Sequence, residues 1–189
     1  MNKNEFIEKR IKEIRERWFK NHVAEYELFG EGRSKIERLK WHNPQSSDFY
    51  IHYVTSGGCL MVYGDLGEQI YNFYRPISVR GFTDNNWEYY CGKAHNIDGY
   101  TKLYEWIDEH AAEWIADYGG DDLPEDWTDY LAECPEYRLV EYIYEETGDP
   151  EFAHGCYEAG KAINIRALSH FVGLQMANEQ LNKLLDKQI

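Results

Sequence analysis

The sequence predicts an α+β fold in a single domain, residues 1–189, with an N-terminal helix, an antiparallel sheet of three or four strands and a mainly helical C-terminal half. Three observations predict it: apolar residues at helical spacing near the N-terminus, a segment rich in β-branched and aromatic residues at 36–74, and a return of helical spacing after residue 101. A chain of 189 residues without a visible repeat or linker fits one domain with its own core.

The first element is an amphipathic helix over residues 3–20. Ile7, Ile11, Ile14 and Trp18 recur three or four residues apart, and most of the basic residues lie elsewhere around the helix. One side of this helix is therefore expected to be buried.

The composition of the segment 36–74 is typical of β-strands. The runs FYIHYVT and CLMVY flank SGG, where Gly57 and Gly58 suit a tight hairpin turn. KIERLKW before them and EQIYNFY after them add one or two strands, so an antiparallel sheet is expected here.

Four helices are predicted after the sheet. The first covers 84–95, with Asp84 or Asn85 as its cap. The second covers 101–118, where eight residues from Leu103 to Tyr118 keep helical spacing and GlyGly ends the run. The others cover 136–147, before Gly148 and Pro150, and 164–187.

Charge is concentrated in one segment. The chain has a net charge of −14, while residues 103–154 hold 17 acidic and one basic side chain. Direct binding of nucleic acid through such a surface is disfavoured, because phosphates would be repelled.

Aromatic residues make up 16% of the chain, which argues against disorder. Neither a signal peptide nor an 18-residue apolar run is visible, so a cytoplasmic protein without a membrane span is expected.

The acidic segment supplies the candidate binding residues. On the predicted helix 101–118, Glu105, Glu109, Glu113 and Asp117 form a column, about 6 Å apart along the axis at a rise of about 1.5 Å per residue. The following candidates are Asp121, Asp122, Glu125 and Asp126. Two interpretations stay open: a solvated face that aids solubility, or a surface that imitates a phosphate backbone and docks into a basic groove. In both, the tryptophans of the segment are expected to face inward and anchor it.

No catalytic, metal or cofactor site is predicted. The stretch GDLPEDWTD lacks the spacing of a calcium loop, and the four cysteines contain no CxxC pair. Cys91 and His95 stand four apart on a predicted helix, yet no third orienting group accompanies them. His110 and His52 lie among apolar residues, where packing is the usual role.

A short turn carries a resemblance. The residues Gly64, Asp65, Leu66 and Gly67 follow the strand hairpin, and a Gly173-Leu174 pair lies in the C-terminal helix. In these features the chain resembles a loose group of uncharacterised accessory proteins of tailed bacteriophages and prophages. The resemblance implies a viral protein that acts in a bacterial cytoplasm, where such genes often encode inhibitors of host defence, including anti-CRISPR proteins.

The functional expectation combines charge and resemblance. It is a phage-encoded acidic protein that binds and inhibits a host defence nuclease or nucleoprotein through nucleic-acid mimicry. One alternative is a small metal-dependent hydrolase or nuclease, acting on nucleic acid or a nucleotide signal, whose carboxylates bind magnesium. Another is a component of the virion or of its assembly. The basic N-terminal helix leaves two further partners open: RNA, or the acidic segment of a second copy.

Overall fold

The computed structural model describes residues 3–82, 87–95, 102–118, 123, 127 and 136–186. It has an N-terminal helix, an antiparallel sheet and a mainly helical C-terminal half, so the predicted α+β class in a single domain is confirmed. The residues group into two compact units, which are described one at a time. We call Met1–Glu8 with Tyr104–Ile163 the acidic unit, and Lys9–Leu103 with Asn164–Ile189 the sheet unit.

The N-terminal helix α1 covers Lys3–Glu13 and continues as one turn of π-helix, Ile14–Trp18. The backbone N–H of Phe19 closes this turn by donating to the carbonyl of Ile14 at 2.9 Å. The helical segment thus ends two residues before the predicted limit of 20. Ile7 and Ile14 are buried, as their spacing predicts.

Five strands form the sheet: β1 (Val23–Phe29), β2 (Ile36–His42), β3 (Ile51–Ser56), β4 (Cys59–Gly64) and β5 (Gln69–Asn72). They lie side by side in chain order, and every neighbouring pair is antiparallel. The sheet has one strand more than predicted, because β1 precedes the segment 36–74.

One face of the sheet is buried beneath the C-terminal helix α6 (Ile165–Asp186), which was predicted over 164–187. Alternate residues of β2 and β3 are buried on this face, including Trp41 and Tyr53. A Cβ at Gly173 would lie 2.6 Å from the Tyr53 hydroxyl oxygen, so glycine lets this side chain meet the helix. The Tyr53 hydroxyl donates to the carbonyl of His170 at 2.7 Å.

The helix predicted over 84–95 ends earlier in the structure. Helix α2 is described over Trp87–Cys91, and residues 84–86 lie outside the described residues. The chain then turns, and Ala94 forms a β-bridge with Tyr71 at the edge of β5. Pairing with the sheet edge satisfies the backbone groups that a longer helix would have used. Cys91 and His95 therefore do not share a helix face, and the prediction that they do is wrong.

In the acidic unit, the described residues of 104–163 include helices and a small antiparallel ribbon. The helices are α3 (Asp108–Tyr118), α4 (Glu136–Thr147) and α5 (Pro150–Gly160); the ribbon pairs β6 (Tyr104–Trp106) with β7 (Lys161–Ile163). Helix α4 confirms the prediction for 136–147. Helix α5 is not among the predicted helices, because Gly148 and Pro150 in the sequence indicate only the end of α4.

Pro150 instead opens helix α5. The carboxylate of Asp149 caps the helix by accepting from the backbone N–H groups of Glu151 at 2.9 Å and Phe152 at 3.0 Å. Proline is well suited to the first position of a helix, because it has no N–H to leave unpaired there.

Tryptophans of the acidic unit pack inward against its core. The core contains Ala111, Ile115, Leu139, Ile143, Ala153 and Cys156, and Trp106, Trp114 and Trp127 pack around it. A Cβ at Gly155 would lie 2.4 Å from the Trp114 ring, and one at Gly160 would lie 2.5 Å from the Trp106 ring. Two glycines of α5 thus leave room for two indoles.

None of the helices in the described part of the chain is both long and apolar enough to cross a membrane.

Candidate protein-binding face

The negative charge of the protein is concentrated in one of the two units. The acidic unit holds 20 acidic and 3 basic side chains, a net charge of −17. The sheet unit holds 14 acidic and 17 basic side chains, a net charge of +3. The whole negative excess of the protein therefore belongs to one compact unit, and this unit is the candidate binding site.

Helix α3 presents three members of the predicted acidic column. Glu109, Glu113 and Asp117 are four residues apart on α3, and all three are exposed. Successive carboxylates lie about 6 Å apart along the axis at a rise of about 1.5 Å per residue. The core side of the same helix carries Ala111 and Ile115, which are fully buried.

The fourth predicted member, Glu105, is not on the helix. It lies in strand β6, where it pairs with Ala162 of β7 and is half-buried. The helix starts later because Ile107 N–H donates to the carbonyl of Gly160 at 2.8 Å, which extends the ribbon by one bond. Helical spacing from Leu103 to Ile107 was accordingly misleading, since pairing with β7 overrides local periodicity.

The second half of the predicted site lies outside the described residues. This half consists of Asp121, Asp122, Glu125 and Asp126.

Helices α4 and α5 add acidic residues that the sequence analysis did not select as site residues. Glu141, Glu145 and Glu146 of α4 and Glu151 and Glu158 of α5 are all exposed. All of these except Glu158 are among the 17 acidic side chains of 103–154, which was their signal in the sequence. The column on α3 has the most regular spacing in the sequence, whereas the acids of α4 and α5 do not form such a column.

Part of this acidic charge is used inside the unit. Asp108 accepts a hydrogen bond from the Trp106 indole at 2.7 Å, and Glu158 pairs with Lys161 at 3.5 Å. Glu105 and Glu113 also interact with other groups of the protein.

Five of the remaining exposed acids, on helices α3 and α4, are available to a partner. In the part of the chain that the structure describes, no lysine or arginine forms an ion pair with Glu109, Asp117, Glu141, Glu145 or Glu146. We call these five residues the acidic face.

The Gly-Asp-Leu-Gly turn has a structural role at the end of β4. Gly64 has φ of 153°, and a Cβ there would lie 2.2 Å from the carbonyl oxygen of Tyr50. Gly67 closes the turn by donating to the carbonyl of Gly64 at 3.2 Å, and Leu66 is buried.

Asp65 of this turn holds the loop before β3. Its carboxylate accepts from the backbone N–H of Phe49 at 2.8 Å, and its own N–H donates to the carbonyl of Tyr50 at 3.0 Å. Phe49 has φ of 58°, and its ring stacks on Trp18 with centroids 4.9 Å apart. A left-handed phenylalanine is strained, so the Asp65 bond and the stacking stabilise it.

Glu37 is a buried carboxylate in the sheet unit. It accepts from the Ser78 hydroxyl at 2.7 Å and the Val79 N–H at 2.8 Å, and the Lys35 ammonium lies 2.5 Å away. Burial raises its pKa, but the hydrogen bonds from Lys35, Ser78 and Val79 outweigh burial and hold the pKa below its usual value. An ionised carboxylate thereby fixes the turn at 78–79 onto β2.

One cysteine and two histidines of the described residues are packed against neighbouring groups. Burial raises the pKa of the Cys156 thiol to about 12, which keeps it protonated and unreactive. His110 is buried with its ring edge-on to Phe6 at 5.0 Å, and His52 stacks on Tyr63 at 4.9 Å. Within the described ranges no group of three or more metal-binding side chains occurs.

Comparisons with protein-family models, with curated proteins and with solved structures give no match.

Proposed function

We propose that this chain is a binding protein whose acidic unit docks into a cationic nucleic-acid groove of another macromolecule. In its specific form, the proposal is a phage-encoded inhibitor of a host defence nuclease or nucleoprotein, with an anti-CRISPR-like role in the bacterial cytoplasm. The segregation of charge supports it: one unit carries −17 and the other +3.

Electrostatics explains how such a unit finds its partner. A concentrated field of one sign steers a partner of opposite sign and raises the association rate, and salt weakens this effect. The five carboxylates of the acidic face have no cationic partner in the described residues, so binding exchanges water and sodium ions for lysine and arginine.

The core of the acidic unit gives the charges a fixed arrangement. Each of the helices α3 and α4 has exposed acids on one side and buried residues on the other, which are Ile115 on α3 and Leu139 and Ile143 on α4. A groove that recognises evenly spaced phosphates needs such a preset array, because ordering flexible charges on binding costs affinity. The inhibitor occupies the groove and excludes nucleic acid from it.

The test is a displacement assay with purified guide-loaded CRISPR nucleases and labelled target DNA. Wild-type chain is compared with a neutral-face variant that carries Glu109→Gln, Asp117→Asn and Glu145→Gln. Each substitution is on an exposed side chain, so the fold should persist. We expect the variant to need at least tenfold more protein for the same displacement, which is about 1.4 kcal/mol.

A matched control removes the same charge from elsewhere. The variant Glu16→Gln, Glu31→Gln and Glu68→Gln also loses three negative charges from exposed side chains, but in the sheet unit. It should displace DNA like the wild type. Equal displacement by both variants would contradict a role for the acidic face, and no displacement by the wild type would contradict the anti-CRISPR form of the proposal.

A further inference from the structure

The sheet unit contains a cavity of about 470 Å³ with an aromatic wall. It lies between the segment that follows β5 and helix α2. Its aromatic lining is Phe73, Tyr74, Phe82, Tyr89 and Tyr90. Its size falls within the range of about 300–1,000 Å³ that is common for small-ligand sites.

The floor of this aromatic cavity is packed. Tyr90 stacks on Phe171 of helix α6 with centroids 5.5 Å apart and planes 20° apart, and Phe82 lies 4.8 Å from Tyr90. Phe73 meets both Phe82 and Tyr90 edge-on. The packing of these rings against one another and against helix α6 fixes the position of the cavity wall.

The rim is open to solvent. The side chain of Tyr74 is 97% exposed, and that of Tyr89 is 51% exposed. The Lys93 ammonium lies 5.0 Å from the centroid of each ring. One cation therefore stands beside two exposed aromatic faces.

The cations at the rim have no anionic partner in the described residues. Arg75 lines the cavity, and neither Arg75 nor Lys93 forms an ion pair with a carboxylate in the part of the chain that the structure describes. In a chain with a net charge of −14, two such cations beside aromatic rings favour a ligand that carries its own negative charge.

Backbone bonds hold the rim in place. Phe73 N–H donates to the carbonyl of Gly58 at 2.7 Å, and Ile77 N–H donates to that of Gly57 at 2.9 Å, so the β3–β4 hairpin anchors this segment. On the other side, Lys93 N–H donates to Tyr90 and its carbonyl accepts from Asn72, both at 2.8 Å. The cavity is thus formed before any ligand arrives.

We propose that the aromatic cavity binds a mononucleotide. The base stacks on the exposed rings of Tyr74 and Tyr89, and the phosphate meets Lys93 and Arg75. Any base can stack on the tyrosine rings, because each base has a π-face. The two cations attract the negative charge of the phosphate, so the ligand is a nucleotide and not a nucleoside. This site is independent of the acidic face and of the function proposed for it.

Calorimetric titration of the full chain with each of the four nucleoside 5′-monophosphates tests the proposal. We expect saturable one-to-one binding of at least one of them, with a Kd of about 1 mM or tighter. The matching nucleoside and inorganic phosphate should each bind at least about tenfold more weakly, because each makes only one kind of contact.

Two variants localise the binding. Tyr74→Ala and Lys93→Gln should each weaken it roughly tenfold. Tyr74 is almost fully exposed, so its loss should not affect folding, which circular dichroism checks. The matched controls are Tyr144→Ala, at a tyrosine that is 52% exposed on α4, and Lys12→Gln, at an exposed lysine; both should bind like the wild type.

Three results would overturn the proposal. They are no binding of any monophosphate at about ten times the expected Kd, wild-type affinity in both cavity variants, or binding of a short single-stranded RNA when all four monophosphates fail to bind.

Discussion

Glu37 on β2 is only 1% exposed to solvent, and its carboxylate is nevertheless ionised because its pKa is held below the usual value. Replacing it with glutamine keeps the shape but removes the charge that Lys35, Ser78 and Val79 stabilise. Hydrogen bonds to charged groups contribute about 1.5–3 kcal/mol each, so we expect Glu37→Gln to lower the free energy of unfolding by about 2–3 kcal/mol in urea denaturation at pH 7.

Glu27→Gln is the control for this prediction, because Glu27 pairs with Arg38 at the surface and such a pair contributes about 0–1 kcal/mol. Since the folded pKa of Glu37 is lowered, its contribution is fully present above the unfolded pKa and is lost as the pH falls through the folded pKa. The gap between wild type and Glu37→Gln should therefore narrow in acid. Equal losses in the two variants would contradict this role for Glu37.

His170 is a buried base whose lowered pKa also makes the protein less stable in acid. Burial lowers its pKa to about 4, so between the unfolded value and pH 4 the unfolded chain binds a proton that the folded chain does not. Lowering the pH from 7.5 to 5 should cost the wild type about 2 kcal/mol through this residue alone. His170→Gln should lack that part of the pH dependence, as urea denaturation at the two pH values will show.

The control for the pH effect is His154→Gln, at an exposed position on α5. This variant should keep the full pH dependence. If His170→Gln and the wild type lose the same stability between pH 7.5 and 5, then His170 is not the neutral buried base described above.

At the scale of elements, the contact between α3 and α5 depends on glycine. A Cβ at Gly155 would meet the Trp114 ring at 2.4 Å, so Gly155→Ala must displace the indole. Overpacking lowers the free energy of unfolding by about 1–3 kcal/mol, whereas the higher helix propensity of alanine raises it by up to about 1 kcal/mol. We expect a net loss of about 1–2 kcal/mol in chemical denaturation, with a change in tryptophan fluorescence.

Gly81→Ala is the matched control for Gly155→Ala. A Cβ at Gly81 would meet nothing within 4 Å, so the stability should change by less than about 0.5 kcal/mol. A Gly155→Ala protein as stable as the wild type would show that α3 and α5 do not pack through Trp114.

Elements whose pattern is local could be predicted from the sequence. The hairpin at Gly57 and Gly58, the helix at 136–147 and the C-terminal helix each carry their own spacing or turn residues, and each was found within one residue or at the same bounds. Elements that depend on a distant partner could not be predicted in this way. Strand β6 needs β7, more than 50 residues later, and it replaces the first turn of the helix predicted over 101–118.

The sequence predicts which segment is acidic more accurately than it predicts which of its acids are exposed together on the helices. Counting charge located the acidic segment, and three of the four column residues are exposed on α3. Glu105 was assigned to the wrong element because periodicity cannot reveal ribbon pairing. The acids of α4 and α5 were not selected because their nearness to α3 depends on packing around Ile115 and Ile143.

At the scale of the molecule, segregated charge predicts an unusual response to salt. Raising NaCl from about 0.01 M to about 1 M shortens the Debye length from about 30 Å to about 3 Å, which screens repulsion within the acidic unit. Like charges four residues apart cost about 0.2–0.5 kcal/mol per pair, so several pairs predict a rise in unfolding free energy of about 1 kcal/mol. Urea denaturation at the two salt concentrations measures it.

The neutral-face variant is the comparison for this salt effect. It breaks the column on α3 and separates the like charges of Glu141 and Glu145, which are four residues apart on α4. Salt should therefore stabilise it less than the wild type. A wild-type protein that loses stability as salt is added would show that attraction, rather than repulsion, dominates its charges.

The central claim is that the acidic unit and nucleic acid compete for one cationic groove. The most direct measurement is the affinity of the chain for a nuclease that it inhibits, with and without a saturating amount of that nuclease's nucleic-acid substrate. The account predicts that the substrate weakens binding at least tenfold, which is about 1.4 kcal/mol or more. Unchanged affinity, with chain, nuclease and nucleic acid in one complex, would contradict it.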